Sequence, residues 1–386
     1  MKFSVLIFSF FCFSAYSLAG DDELVIQDVA QKNIYDNWQG VVGSASVESG
    51  LFFDASFLYL KPEVGGLAFA DTINVSEITA PDDVAQVKFR PKNLNFEWDP
   101  GLSVGLGYIF SSKEQSQISA YWTYLHSNAD EQVTVSGRID NNFISPIWFP
   151  FILGANADRA KANWTLNFNV ADVAASRNLF LGEWLAFKPK LGLRAAWIHQ
   201  DYEARYRGGY TFNDAGVSTT LFKNTSFTAS NDYKGVGVHF GTDLEWFITK
   251  SFSFIGGGFL SLLYGDFEIR EKFDGGLLVS FGGDPQILNE EINVREDFTA
   301  VRPSLEAKIG LKWQKLFNEN HHRFMIGVFY QVETWFDQNE LIAISNARDS
   351  TPLTATAITA NNYVMNETPG GNLEIQGLRV ELRLDF

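Results

Sequence analysis

The chain has 386 residues, a formal net charge of -16 and a mean hydropathy of -0.07. The acidic balance excludes nucleic acid as a partner, and no stretch reaches the roughly 20 uninterrupted apolar residues that a membrane helix needs. The only cysteine, Cys12, lies near the start, so the rest of the chain has no disulfide and no cysteine ligand for a metal.

Met1-Lys2 is a short basic start, residues 3–13 are an apolar run, and Ser17-Leu18-Ala19 is a small-x-small site. Together they read as a secretory signal peptide over residues 1–19. In residues 20–49, Asp21-Asp22-Glu23 can cap a short helix carrying Leu24, Ile26, Val29, Ala30 and Ile34. This segment is read as a plug, a periplasmic contact, a partner helix or a mobile tail.

From residue 50 to 386 the periodicity is that of strands. Leu51, Phe53, Ala55, Phe57 and Tyr59 share one parity, and after a loop expected over 63–83 so do Leu102, Val104, Leu106, Tyr108 and Phe110. Asp99-Pro100-Gly101 is read as a turn or a bulge. Ile118, Ala120, Trp122 and Tyr124 come next, then a long loop with an apolar knot at 144–153. Trp164, Leu166, Phe168 and Val170 then alternate with Asn163, Thr165, Asn167 and Asn169. Phe187, Leu191, Leu193, Ala195 and Trp197 follow, then a loop expected over 208–220, then Val236, Val238, Phe240, Leu244 and Trp246. Thr249-Lys250-Ser251 is a tight turn into Phe252, Phe254 and the run to Tyr264. A loop expected over 275–289 precedes Leu305, Ala307, Ile309, Leu311 and Trp313, and then Phe324, Ile326, Val328 and Tyr330. In the last ten residues, Leu378, Val380, Leu382, Leu384 and Phe386 oppose Arg379, Glu381, Arg383 and Asp385 without exception.

Short connections alternate with long ones, as in a transmembrane antiparallel up-and-down β-barrel with short periplasmic turns and long outer loops. Phe187 and Trp197, like Phe254 and Tyr264, are same-face aromatics ten residues apart. Ten tilted strand residues cover about 25 Å, the height of one apolar band. A soluble β-sandwich usually has strands of only about 5 or 6 residues. The expected fold is therefore all-β with about ten strands, or twelve or more if 84–98 and 222–233 add their own. Partners expected are outer membrane lipid, the barrel assembly machinery recognising the terminal Phe386, and small hydrophilic solutes or ions; an oligomer is left open.

Motifs for catalysis are weak. His126, His199, His239, His321 and His322 have no metal-ligand spacing, and no metal or cofactor is expected. Gly235-x-Gly237 and Gly256-Gly257-Gly258 lack the strand-to-helix setting of a phosphate loop and read as wall positions. His199 and Asp201 near an outer strand end are the one pair with a protease-like flavour, and a solvated rim is the preferred reading. The surface on which function is placed is the lumen: by phase it holds Lys188, Lys190, Arg194, Asp243, Glu245, Glu306, Lys308, Lys312, Arg379, Glu381 and Arg383. Such walls either guide solutes or fill a narrow barrel with ion pairs. Ile147, Trp148 and Phe149 suit a constriction loop or an exposed contact.

The run Phe53-x-Ala55-x-Phe57-Leu58-Tyr59-Leu60-Lys61-Pro62, Asp99-Pro100-Gly101-x-x-Val104-Gly105-Leu106-Gly107-Tyr108, Leu191-Gly192-Leu193-Arg194-x-Ala196-Trp197-Ile198, Leu263-Tyr264-Gly265-Asp266-Phe267, Phe336-Asp337-Gln338-Asn339 and Gly377-Leu378-Arg379 resembles the Legionella-type major outer membrane protein family. The likeness spans residues 50–386, and relatives of this type occur in chlamydia-like bacteria. The resemblance implies a pore-forming outer membrane protein, not an enzyme, passing small hydrophilic solutes. The disulfide cross-linking known in that family cannot carry over, because Cys12 falls in the expected signal peptide. Two readings follow: a diffusion pore with a charged lumen, or a closed barrel acting as a surface adhesin or structural protein.

Overall fold

The computed structural model describes residues 49–75, 87–110, 116–135, 142–148, 157–181, 184–209, 211–212, 218–219, 222–279, 286–317, 322–346, 363–367 and 371–386. The expected signal peptide and nearly all of the 20–49 segment lie outside them. Among the described residues no helix is long and apolar enough to cross a membrane.

Ten strands form one closed antiparallel barrel. They are β1 (Gly50–Val64), β2 (Asp99–Ile109), β3 (Gln117–Thr134), β4 (Arg159–Ser176), β5 (Leu185–Gly208), β6 (Phe222–Phe247), β7 (Phe252–Val279), β8 (Gln286–Phe317), β9 (His322–Asn339) and β10 (Gly371–Asp385). Each pairs with its chain neighbours, and β10 closes on β1 from Phe52↔Asp385 to Val64↔Leu373. Closure leaves no edge strand to seek another chain. The expected count of ten is met. Residues 84–98 add only two small pieces and no further barrel strand: Val87–Lys92 pairs with Ala70–Val75 outside the wall, and Asn95–Phe96 extends the wall beside β3. Residues 222–233 are simply the first half of β6.

Local chemistry sets the ends. At the turn between β6 and β7, the Thr249 hydroxyl accepts the backbone N–H groups of Ser251 (3.2 Å) and Phe252 (3.0 Å), a side-chain turn that reverses the chain in four residues. Asp99-Pro100-Gly101 is neither turn nor bulge but the start of β2, with Tyr59 opposite Pro100. The loop expected over 208–220 corresponds to the 209–221 connection between β5 and β6, whereas the one expected over 275–289 is shorter than the sequence suggests: β7 runs 28 residues and β8 32, so only 280–285 lies between them. At the end of β9, Asp337 has φ 49°, and the register slips between Trp335 and Asn339. Asp tolerates this left-handed turn better than most residues, and it swings Gln338 under cover.

The barrel's faces exchange character halfway up. On β5 the outward residues Leu191, Leu193 and Trp197 are exposed, while Arg194 between them points inward. Beyond Trp197 the outward residues become His199, Asp201, Glu203 and Arg205, and the inward ones Ala196, Ile198, Tyr202, Ala204 and Tyr206, all buried. β7 changes the same way: its exposed Tyr264 is followed outward by Asp266, Glu268, Arg270 and Lys272, and inward by Phe267, Ile269 and Phe273. The half nearer the tight turns is apolar outside and polar inside. The half nearer the long loops is polar outside and encloses an apolar core. Where the outer face of the wall turns polar, the apolar residues of that half have only one another to pack against, and they collect inside.

On β4 most of the apolar row found in the sequence lies inside. Trp164, Leu166, Phe168 and Val170 on β4 face inward and are buried, while Asn163, Thr165, Asn167 and Asn169 face out. Only Ala171, Val173 and Ala175 of β4 share the outward band, opposite Trp122, Ala120 and Ile118.

Candidate pore lumen

The lower half of the bore is a charged layer organised on Arg194. Its guanidinium donates from Nε to Asp172 Oδ1 (2.7 Å) and from Nη2 to Asp172 Oδ2 (3.0 Å), a bidentate pair between adjacent strands. It also reaches across the bore to Glu333 on β9 (3.0 Å) and Glu306 on β8 (3.3 Å). Trp335 Nε1 donates to the same Glu333 oxygen at 3.1 Å. Nearer the turns, Lys308 pairs with Asp243 at 3.1 Å, and Lys312 pairs with Glu245, which also accepts the Ser253 hydroxyl. Asp385 is held between Arg383 (2.7 Å) and Arg323 (2.6 Å), and Arg383 extends to Gln117 on β3 at 3.2 Å. Arg379 lies 3.4 Å from Glu381.

All eleven lumen residues expected from phase line one interior cavity of about 160 Å³. Phase reasoning missed Asp54, Asp172, Arg323, Glu333 and Asp385, although each falls on the inward parity of its strand. Asp172 shares the parity of Trp164 to Val170, an apolar row that alternation alone does not place inside or outside. Arg323 sits at a strand end, where the alternation is too short to read alone, whereas Asp385 shares the parity of Arg379, Glu381 and Arg383 and was within reach of the same reasoning.

Above the charges the bore is closed by apolar packing. Phe168 on β4 and Trp335 on β9 meet edge to face with ring centroids 5.8 Å apart. Five steps separate these strands around a ring of ten, so the two rings span the bore. Higher still, the chain outside the barrel folds over the mouth as a three-stranded sheet, with Ala70–Val75 between Val87–Lys92 and Asn142–Pro146. Trp148 anchors it: the indole stacks on Phe227 (4.8 Å, 13°) and touches Tyr202, and its Nε1 donates to the Ala68 carbonyl at 2.9 Å. The Tyr206 hydroxyl donates to Phe69 O at 2.6 Å. Of the expected constriction trio, Trp148 is thus buried in the mouth, Ile147 is exposed with its N–H on Phe69 O, and Phe149 lies outside the described residues.

A second cover comes from the segment after β9. Gln338 O accepts Asn231 Nδ2 at 2.9 Å and Gln200 Nε2 at 3.4 Å, and the Ile342 N–H donates to Glu271 at 2.6 Å. Glu271 stands well beyond the apolar band, and burial pushes its carboxyl up to about 7 against the opposing pull of the Ile342 N–H. Because the folded chain holds this proton more tightly than the unfolded one, stability falls as pH rises from about 4.5 to about 7 and is level above. About 2.5 pH units correspond to roughly 3 kcal/mol. Glu271→Gln keeps the acceptor and removes the charge, so urea unfolding at pH 5 and pH 8 should show that loss in the parent and not in the variant.

His199 and Asp201 lie on the outward face. The imidazole bridges Asp232 (2.6 Å) and Asp201 (2.9 Å) along the wall, an arrangement that ties β5 to β6. Phe386 ends the chain with its N–H on Leu51 O at 2.8 Å and its ring 6.2 Å from that of His322. Among the described residues no group of three or more His, Cys, Asp or Glu side chains is placed to hold a metal ion.

Among solved structures, the outer membrane protease OmpT from Escherichia coli is similar at 12% identity and TM-score 0.35, over 87% of this chain and 96% of that one. A Pseudomonas aeruginosa FadL homologue is similar at 7% identity and TM-score 0.23, over 88% and 90%. No curated protein matches. Residues 45–386 match the family described as Legionella pneumophila major outer membrane protein precursor, and the chain, a ten-stranded barrel with a charged lower bore, belongs to that family.

Proposed function

We propose that the chain spans the outer membrane with the lower half of its barrel, is shut at rest, and serves as a structural and surface-displaying protein through its raised, polar upper half. The observation that carries this reading is the contact of Phe168 with Trp335 across the bore. A hydrated solute meeting that layer would lose its water with nothing polar to replace it. The outward rows from Phe187 to Trp197 and from Phe254 to Tyr264, ten residues each along their strands, supply a lipid-facing belt of about 25 Å. Phe386 is the proposed recognition point for barrel assembly. His199 and Asp201, on the outer wall and tied to Asp232, are read as a wall contact and not as a catalytic pair.

The pore reading is favoured by one feature of its own: charges of both signs line the lower cavity, as a polar path for small hydrophilic solutes or ions would require. It needs the Phe168–Trp335 layer and the Trp148 cover to part. Single-channel recording of the refolded protein in a planar bilayer separates the two. Silence from a folded, heat-modifiable barrel is the expected result, and stable, reproducible steps would establish the diffusion pore instead.

A further inference from the structure

The lower bore carries eight cations, Lys188, Lys190, Arg194, Lys308, Lys312, Arg323, Arg379 and Arg383, and eight carboxylates, Asp54, Asp172, Asp243, Glu245, Glu306, Glu333, Glu381 and Asp385. The matching is uneven. Six of the cations lie within 4 Å of a carboxylate. Lys188 and Lys190 do not, among the described residues. Asp243 is the residue opposite Lys188 on β6, yet its ion pair is with Lys308. The carboxylate without a cation within 4 Å, Asp54, is on β1 and accepts the Ser56 hydroxyl at 3.4 Å, opposite Arg383 in the strand register.

Lys188 and Lys190 are successive inward residues of one strand, about 7 Å apart at their origins. Lys190 is held by ring faces: its Nζ lies 4.8 Å from the Phe259 centroid and 5.9 Å from that of Tyr121, on strands either side of β5. Ring faces attract an ammonium but accept none of its three hydrogen bonds fully. Both side chains are half-buried and line the 160 Å³ cavity. That space is enough for several waters, or for a small anion with fewer.

We propose that the cavity is a binding site for a small inorganic anion, chloride or phosphate in size, held between Lys188 and Lys190. The site does not depend on whether the bore conducts. In a shut barrel it neutralises two stranded cations, and in an open one it would be a stopping place for anions.

The test is the unfolding midpoint of the full barrel in lipid vesicles, in sodium gluconate, sodium chloride and sodium phosphate at matched ionic strength. Gluconate is too large for the cavity. The parent should unfold at a higher urea concentration in chloride, in phosphate or in both, with a saturable rise; at 100 times the dissociation constant the folding equilibrium gains about 100-fold. The two salts show which anion the site prefers. Lys188→Met with Lys190→Met should abolish the rise, and in gluconate should leave the barrel at least as stable as the parent, because it removes unpaired cations. Lys234→Met on the outer wall should keep the full response. The proposal is overturned if the parent gives one midpoint in all three salts, if the double variant responds as the parent does, or if it is less stable than the parent in gluconate. The last result would mean that the lysines hold the wall through water.

Discussion

Arg194→Met is expected to lower the unfolding free energy by about 3–5 kcal/mol, the usual cost of removing one partner from a buried ionic cluster. Arg194 is only 4% exposed, and its loss strands Asp172, Glu306 and Glu333 together. Methionine fills much of the volume, so packing contributes little to the difference. Reversible urea unfolding in vesicles gives the number. Neighbouring Lys308 and Lys312 already have partners of their own and cannot stand in for the lost charge. A loss below about 1 kcal/mol would mean that water in the cavity screens the carboxylates, and that the layer is wetter than its geometry indicates.

Removing the rings that bridge the bore should have the other large effect, this time on permeation. Phe168→Ala with Trp335→Ala deletes the whole cross-bore contact. Each truncation of a buried aromatic costs about 3–5 kcal/mol, and the double variant should turn a silent barrel into one with resolvable conductance steps. Trp148→Ala provides the contrast. Trp148 contacts Tyr202 and Phe227, and Tyr202 pairs with Trp164, four residues nearer the loops than Phe168. Loosening the mouth alone should leave the barrel silent, because the layer beneath it is intact. Steps from Trp148→Ala but not from the double variant would place the barrier in the cover instead.

Much of this was legible from the residues. Strict alternation in the last ten residues fixed the faces of β10, and its charges do point inward, with Arg383 opposite Asp54 of β1. The Phe187 to Trp197 interval marked the height of the outward band. What the alternation does not reveal is which face is inside, because a period of two is identical for a lipid-facing row and a core-facing one. On β5 the apolar row moves from the odd residues Leu191 to Trp197 to the even residues Ala196 to Tyr206, and the pair Trp197-Ile198 marks the exchange. On β4 the exchange falls at Asp172, in phase with Trp164 and Phe168, and that charge was the available sign that their row faces the lumen. The lengths of β7 and β8 were hidden for a related reason: beyond the outward apolar band their outer residues are charged, so they resemble a loop. Contacts between distant segments, such as Arg194 with Glu333 or Trp148 with Phe227, depend on barrel closure and have no local signature.

The measurement that tests the account most directly compares two adjacent positions on β5. Ala196 is fully buried in the bore, and Ala195 lies on the outer band opposite Val236. With Cys12 replaced by serine, Ala196→Cys and Ala195→Cys each carry a single thiol, so labelling by water-soluble and lipid-soluble maleimides in vesicles reports the surroundings of each face. The thiol of Ala196→Cys should stay unlabelled by either reagent until urea unfolds the barrel, and that of Ala195→Cys should react only with the lipid-soluble one. Labelling of the Ala196→Cys variant by the water-soluble reagent at the unfolded chain's rate would show an open, wet bore and contradict the account.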